Sequence, residues 1–97
     1  MPTLFILSHA PHADPGEAKK ISFASAGDCV LLIEDAVYAA ATPDTPTLQA
    51  LESAKERGVR LCALGPDLQA RAVSTDLESV DYPGFVNLIA QYDRSVH

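Results

Sequence analysis

Val30-Leu31-Leu32-Ile33-Glu34-Asp35-Ala36-Val37-Tyr38 decides how the rest of this chain is read. Four consecutive aliphatic residues that stop at two carboxylates predict a strand buried on both faces. Such a strand delivers Glu34 and Asp35 to the carboxyl edge of a sheet, the edge at which open α/β sheets place their function. The small apolar run Ala39-Ala40-Ala41 that follows suits a helical turn packed on the sheet or on a neighbouring chain.

Working outward, residues 3–8 predict a first strand. It is bounded by a turn-rich loop holding His9, Pro11, His12, Asp14, Pro15 and Gly16. Asp14 and Pro15 form an N-cap and N1 pair with Glu17 three residues after the cap, so a helix is expected over 15–26, closed by Gly27. The organising strand covers 28–33. Thr45 ahead of Pro46 caps a second helix over 46–57, with Leu48 and Leu51 inward and Gly58 at its end. A third strand is read over 59–64, a short helix over 67–72, a fourth strand over 77–81 and an amphipathic helix over 82–92 with Phe85, Val86, Leu88 and Ile89 at helical spacing. Alternating strands and helices argue for right-handed crossovers. The expected product is a single domain over 1–97, a small flavodoxin-like or Rossmann-like three-layer α/β fold with a mainly parallel four-stranded sheet. So little helix on such a sheet leaves apolar surface for a partner chain to cover.

Composition narrows the function. The chain has 97 residues, 47% of them apolar, and a chain of this size buries roughly 60 to 65% of its unfolded surface. The formal net charge is -6, and the seven Lys and Arg are scattered, which excludes a basic stripe for nucleic acid. No apolar run approaches a membrane span, and no secretory n-region opens the sequence, so a cytoplasmic protein is expected. No G-x-G-x-x-G or Walker pattern speaks for a nucleotide, and no cofactor is expected.

Three segments carry the resemblance to a known family: residues 30–40 (VLLIEDAVYAA), Leu64-Gly65-Pro66-Asp67-Leu68-Gln69-Ala70-Arg71, and Val80-Asp81-Tyr82-Pro83-Gly84-Phe85-Val86. Together, in this order, they resemble the DsrH/TusB family of DsrE-fold sulfur-relay proteins. The resemblance implies a subunit of a heterohexamer with DsrE/TusD-like and DsrF/TusC-like chains, which passes persulfide sulfur toward 2-thiolation of the tRNA wobble uridine or in sulfur oxidation. It also implies that the DsrE-like chain holds the principal sulfur-accepting cysteine, which makes this chain a structural and docking subunit. Some family members carry a cysteine in the first helix, where this chain has Lys20. Two glycines of the family are Ala36 and Ala72 here, which predicts helical backbone at both positions. The family's C-terminal tryptophan is absent.

The candidate residues each have two readings. Cys62 and Cys29 could carry a persulfide, which needs an exposed, activated thiolate. Their place in apolar strands instead predicts inert core thiols, on strands expected not to be adjacent. His9 and His12 could ligate a metal with Asp14 or His97, but the spacing is that of a solvated loop and no metal is expected. Glu34, Asp35 and Asp67 could form an acid/base or Mg²⁺ site, or could satisfy helix N-termini, with Arg71 four residues after Asp67 as its ion-pair partner. Tyr38 beside small residues suits a partner interface or local packing alike. Two further hypotheses stand beside the relay subunit: a sulfurtransferase working through Cys62 or Cys29, and a homo-oligomeric small-ligand module using the loop 8–12 and the edge carboxylates.

Overall fold

The computed structural model describes residues 2–11 and 16–97. Five strands form one sheet: β1 (Thr3–Leu7), β2 (Cys29–Leu32), β3 (Arg60–Leu64), β4 (Glu78–Val80) and β5 (Arg94–Val96). Four helices accompany them: α1 (Gly16–Ser22), α2 (Pro46–Glu56), α3 (Gly65–Ala70) and α4 (Tyr82–Gln91), with a 3-10 helix at Glu34–Ala40. All neighbours pair parallel in the order β4-β3-β2-β1-β5.

This order fixes the layers. Three connections step from β1 toward β4, so right-handed crossovers place α1, the 3-10 helix, α2 and α3 on one face. There Ile21, Val37, Leu51, Ala54 and Leu68 pack on Phe5, Leu7, Val30, Leu32 and Ala63. The connection from β4 to β5 runs back across the whole sheet and therefore puts α4 on the other face. That face holds Leu4, Ile6, Cys29, Leu31, Cys62 and Leu64, with Leu88, Phe85 and Tyr92 of the α4 segment packed on them. Alternate residues of each strand serve opposite cores, which is why the central strands read as unbroken apolar runs.

The anticipated four-stranded sheet becomes five-stranded. β5 is three residues long, two of them polar and exposed, and carries no apolar run. Its pairing with β1, Thr3 opposite Arg94 and Phe5 opposite Val96, completes the sheet. The first helix starts at Gly16 and ends at Ser22, short of the expected 26. The Arg57 guanidinium donates to Ile21 O in its last turn and to Ala24 O just beyond it, at 3.0–3.2 Å. The expected cap at Asp14 and Pro15 lies outside the described residues. As read from the sequence, Thr45 caps α2, its hydroxyl accepting the Leu48 N–H at 3.1 Å.

The prediction of helical backbone holds for Ala36, within the 3-10 helix, and fails for Ala72, whose φ is 52°. Ala72 ends α3 in a Schellman arrangement: Val73 N–H donates to Leu68 O and Ala72 N–H to Gln69 O. Closing those carbonyls holds a residue with a Cβ in the left-handed region at a cost of roughly 1 kcal/mol. Gly65 is needed for a different reason. A Cβ there would sit 2.8 Å from Ser79 Oγ, where α3 leaves β3 beside β4.

Candidate functional site

At the carboxyl edge, β2 ends in Ile33 and the chain turns sharply through Glu34, whose φ is 49°. Asp67, in the first turn of α3, accepts the Glu34 N–H at 2.6 Å. Arg71 then joins the two segments: its Nε donates to Asp35 Oδ1 at 2.9 Å, and its Nη1 lies 3.5 Å from Asp67 Oδ1. The i, i+4 partner anticipated for Arg71 is thus its looser one, and Asp35 is the tighter. Asp35 first, then Asp67 and the nearby Tyr38, raise the Arg71 pKa above the ordinary guanidinium value. These groups clasp the 3-10 helix to α3. Glu34, Asp35 and Tyr38 remain exposed beside the clasp.

A crevice of about 570 Å³ opens between the carboxyl ends of β3 and β4. Chain direction switches faces there, α3 going to one and α4 to the other, which is where open sheets place ligands. Its walls include Pro66, Leu68, Val73 and Val80, and their one charged side chain, Asp81, is occupied in accepting the Gly84 N–H.

The loop after β1 brings His9 to α1. His9 Nδ1 lies 2.9 Å from Glu17 Oε1, and Lys20 Nζ lies 3.6 Å from the same oxygen. Glu17 is 1% exposed, and its Oε2 has no hydrogen-bond partner among the described residues. His12 lies outside the described residues, and among the described residues no group of three side chains could hold a metal ion.

The two cysteines meet on the α4 face, toward the amino edge. Contrary to expectation, their strands are adjacent: β2 pairs β3 with Leu31 opposite Cys62, which leaves Cys29 diagonal to it. The two Sγ atoms are 3.9 Å apart, and both residues are sealed at 0% exposure. Diagonal neighbours on adjacent strands have Cα atoms about 7–8 Å apart, beyond ordinary disulfide reach. The Cys62 thiol donates to Glu78 Oε1 at 3.6 Å. Glu78 also takes a two-pronged pairing from Arg60, at 2.6 and 2.9 Å. Contact with Cys29 and burial push the Cys62 thiol up, whereas contact with Cys62, then the charge of Arg60, hold Cys29 below the ordinary thiol value. The guanidinium of Arg60 holds Glu78 low, and burial raises Tyr92.

Sequence reading missed Glu17, Arg60, Glu78 and Tyr92 as members of these clusters. One signal was available for two of them: Arg60 and Glu78 lie at the amino ends of neighbouring strands, which makes them cross-strand partners.

Two solved structures share the overall fold. The solution structure of protein Tm0979 from Thermotoga maritima matches with a TM-score of 0.63 at 24% identity, covering 92% of each chain. The crystal structure of the ychN protein from E. coli matches with a TM-score of 0.81 at 16% identity, covering 99% of this chain and 97% of that one. A search of curated proteins returns no match. These structural neighbours share the DsrE-like fold, and the model of the DsrH family, described as DsrH like protein, matches residues 9–95. With its sequence matched over nearly its whole length and its parallel sheet shared, the chain belongs to the DsrH family.

Proposed function

We propose that this chain is a non-catalytic docking subunit of a sulfur relay, seating a sulfur-accepting partner rather than carrying sulfur itself. Membership of the DsrH family suggests a sulfur-relay-related role. The observation that carries the docking reading is the sealing of both thiols. A sulfane acceptor must present a thiolate to its donor's sulfur, and neither Cys29 nor Cys62 reaches the surface. In α1, where some family members have a cysteine, Lys20 supplies an ammonium that cannot accept sulfur and is paired with Glu17. The partners fitting this reading are a DsrE/TusD-like and a DsrF/TusC-like chain in a heterohexamer, the DsrE-like chain holding the accepting cysteine. Tyr38, with the exposed Glu34 and Asp35 beside the Arg71 clasp, is the docking edge. The pathway is tRNA wobble-uridine thiolation or sulfur oxidation, which differ in partners rather than in this chain's chemistry.

The test is a tagged pull-down from the source cells, with the native mass of the complex and the identity of each co-eluting protein. Two small chains, one with a reactive cysteine, are the expected result. A second reading, persulfide carriage by Cys29, is favoured by the Cys62, Arg60 and Tyr92 groups that stabilise a thiolate there. Polysulfide treatment of the folded chain separates the two. Gain of a sulfur atom on Cys29 or Cys62 overturns the docking reading, and no gain sinks carriage.

A further inference from the structure

α3 is only six residues long, and the chain runs on from it to β4 without another helix. The sheet between α2 and β4 is left without a roof there, and a second crevice, of about 400 Å³, opens toward the amino end of β3. Leu48 and Leu51 of α2, Leu61 of β3 and Leu77 ahead of β4 line it. Leu51 is buried, whereas Leu48, Leu61 and Leu77 are half-buried, so apolar surface from three parts of the chain faces this space.

Two carboxylates stand over that apolar lining. Glu52 follows Leu48 by one turn on the face of α2 that borders the crevice, and Asp76 comes from the segment on its other side. Among the described residues they are the only charged side chains that line it. Neither has an evident structural use. The turn before β4 is closed by Thr75, whose hydroxyl accepts the Leu77 N–H at 3.2 Å, and Glu52 lies beyond the first turn of α2, where the helix dipole would favour an acid. Unlike Asp35, Asp67 and Glu78, which hold arginines, Glu52 and Asp76 pair with no cation among the described residues.

We propose that this crevice binds a small primary amine with an apolar body, its hydrocarbon part on the leucines and its ammonium held between Glu52 and Asp76. A volume of this size, mostly apolar with a few polar groups to fix orientation, is that of a small-molecule site. Charge selects the ligand's sign. An anion would meet two like charges, and a neutral ligand would leave both carboxylates unused. Ser74, also on the lining, adds a hydroxyl that can accept one of the three ammonium N–H bonds. None of these residues belongs to the docking edge, and the inference does not rest on the relay reading.

The test uses hexylammonium as probe, with hexanol and hexanoate as neutral and anionic controls of the same length. Each is titrated at neutral pH into the isotope-labelled full chain while its amide resonances are followed. Hexylammonium is expected to bind saturably in the millimolar range, shifting the amides of residues 48–52, 61 and 74–77. Hexanol is expected to bind several-fold more weakly at the same amides, and hexanoate not to bind. Glu52→Gln and Asp76→Asn should each weaken hexylammonium roughly two- to five-fold, the contribution of an exposed charge pair, and leave hexanol unaffected. Both residues are exposed, so the melting temperature of either variant should match that of the parent chain. Shifts that scatter over the acidic surface without saturating, equal binding of the three probes, or unchanged hexylammonium affinity in both variants would overturn the proposal. Each of these results leaves the heteromeric pull-down unaffected, so the two readings fail separately.

Discussion

Cys62 shows how much one side chain can report. Its thiol is buried, donates to Glu78 and touches Cys29, and all three conditions resist its ionisation. The unfolded chain releases this proton near the ordinary thiol value of 9.0, and the folded chain keeps it. The contribution to stability is therefore complete below that pH and is lost as pH rises above it. Cys62→Ala together with Cys29→Ala, which leaves no buried thiol to inherit the effect, is expected to remove a decline of up to about 1.4 kcal/mol per pH unit above that point. Urea unfolding of both proteins at a series of alkaline pH values measures it, and parallel stability curves would contradict the assignment. The adjacency of the two cysteines was open to a better reading of the sequence. β2 and β3 are consecutive strands joined by one crossover, and such strands neighbour each other about two-thirds of the time.

α4 depends on its first residue's neighbour. Asp81 Oδ1 accepts the Gly84 N–H at 2.8 Å, and Pro83 adds no competing donor. Asp81→Ala is expected to cost about 1 kcal/mol, read as a lower urea midpoint with an unchanged slope. The sequence announced the elements that carry their own signals. β1, β2 and β3 have apolar runs of four or more residues, and α2 has Thr45 before Pro46. It was silent where a signal exists only in context. Arg94-Ser95-Val96 becomes a strand because β1 offers it an edge. Helical spacing marked Phe85, Val86, Leu88 and Ile89 as one apolar set, and only the position of the sheet divides the inward pair from the outward pair. At the carboxyl edge the residue types were legible, but the turn at Glu34 that brings Asp35 to Arg71 was not.

Across the whole molecule, the sheet has two unequal coverings. Several elements pack on one face, and among the described residues α4 alone crosses the other on its way to β5. Removing residues 94–97 should therefore cost more than three exposed positions and the half-buried Val96 suggest. It strips β1, whose five residues are all buried, of its partner on one side. Losing about three ladder hydrogen bonds is expected to cost roughly 2 to 4 kcal/mol. Thermal unfolding of the truncated chain measures this, and an unchanged melting temperature would show β5 to be incidental. Among the described residues no helix is long and apolar enough to cross a membrane.

The pairing of the first strand with the last has a mechanical consequence. β1 and β5 lie side by side and run in the same direction. Tension applied through the two ends of the chain pulls these strands past one another along their length. The bonds between them are loaded together in shear rather than opened one after another like a zipper. Three short residues of β5 thus set the force at which the chain begins to extend.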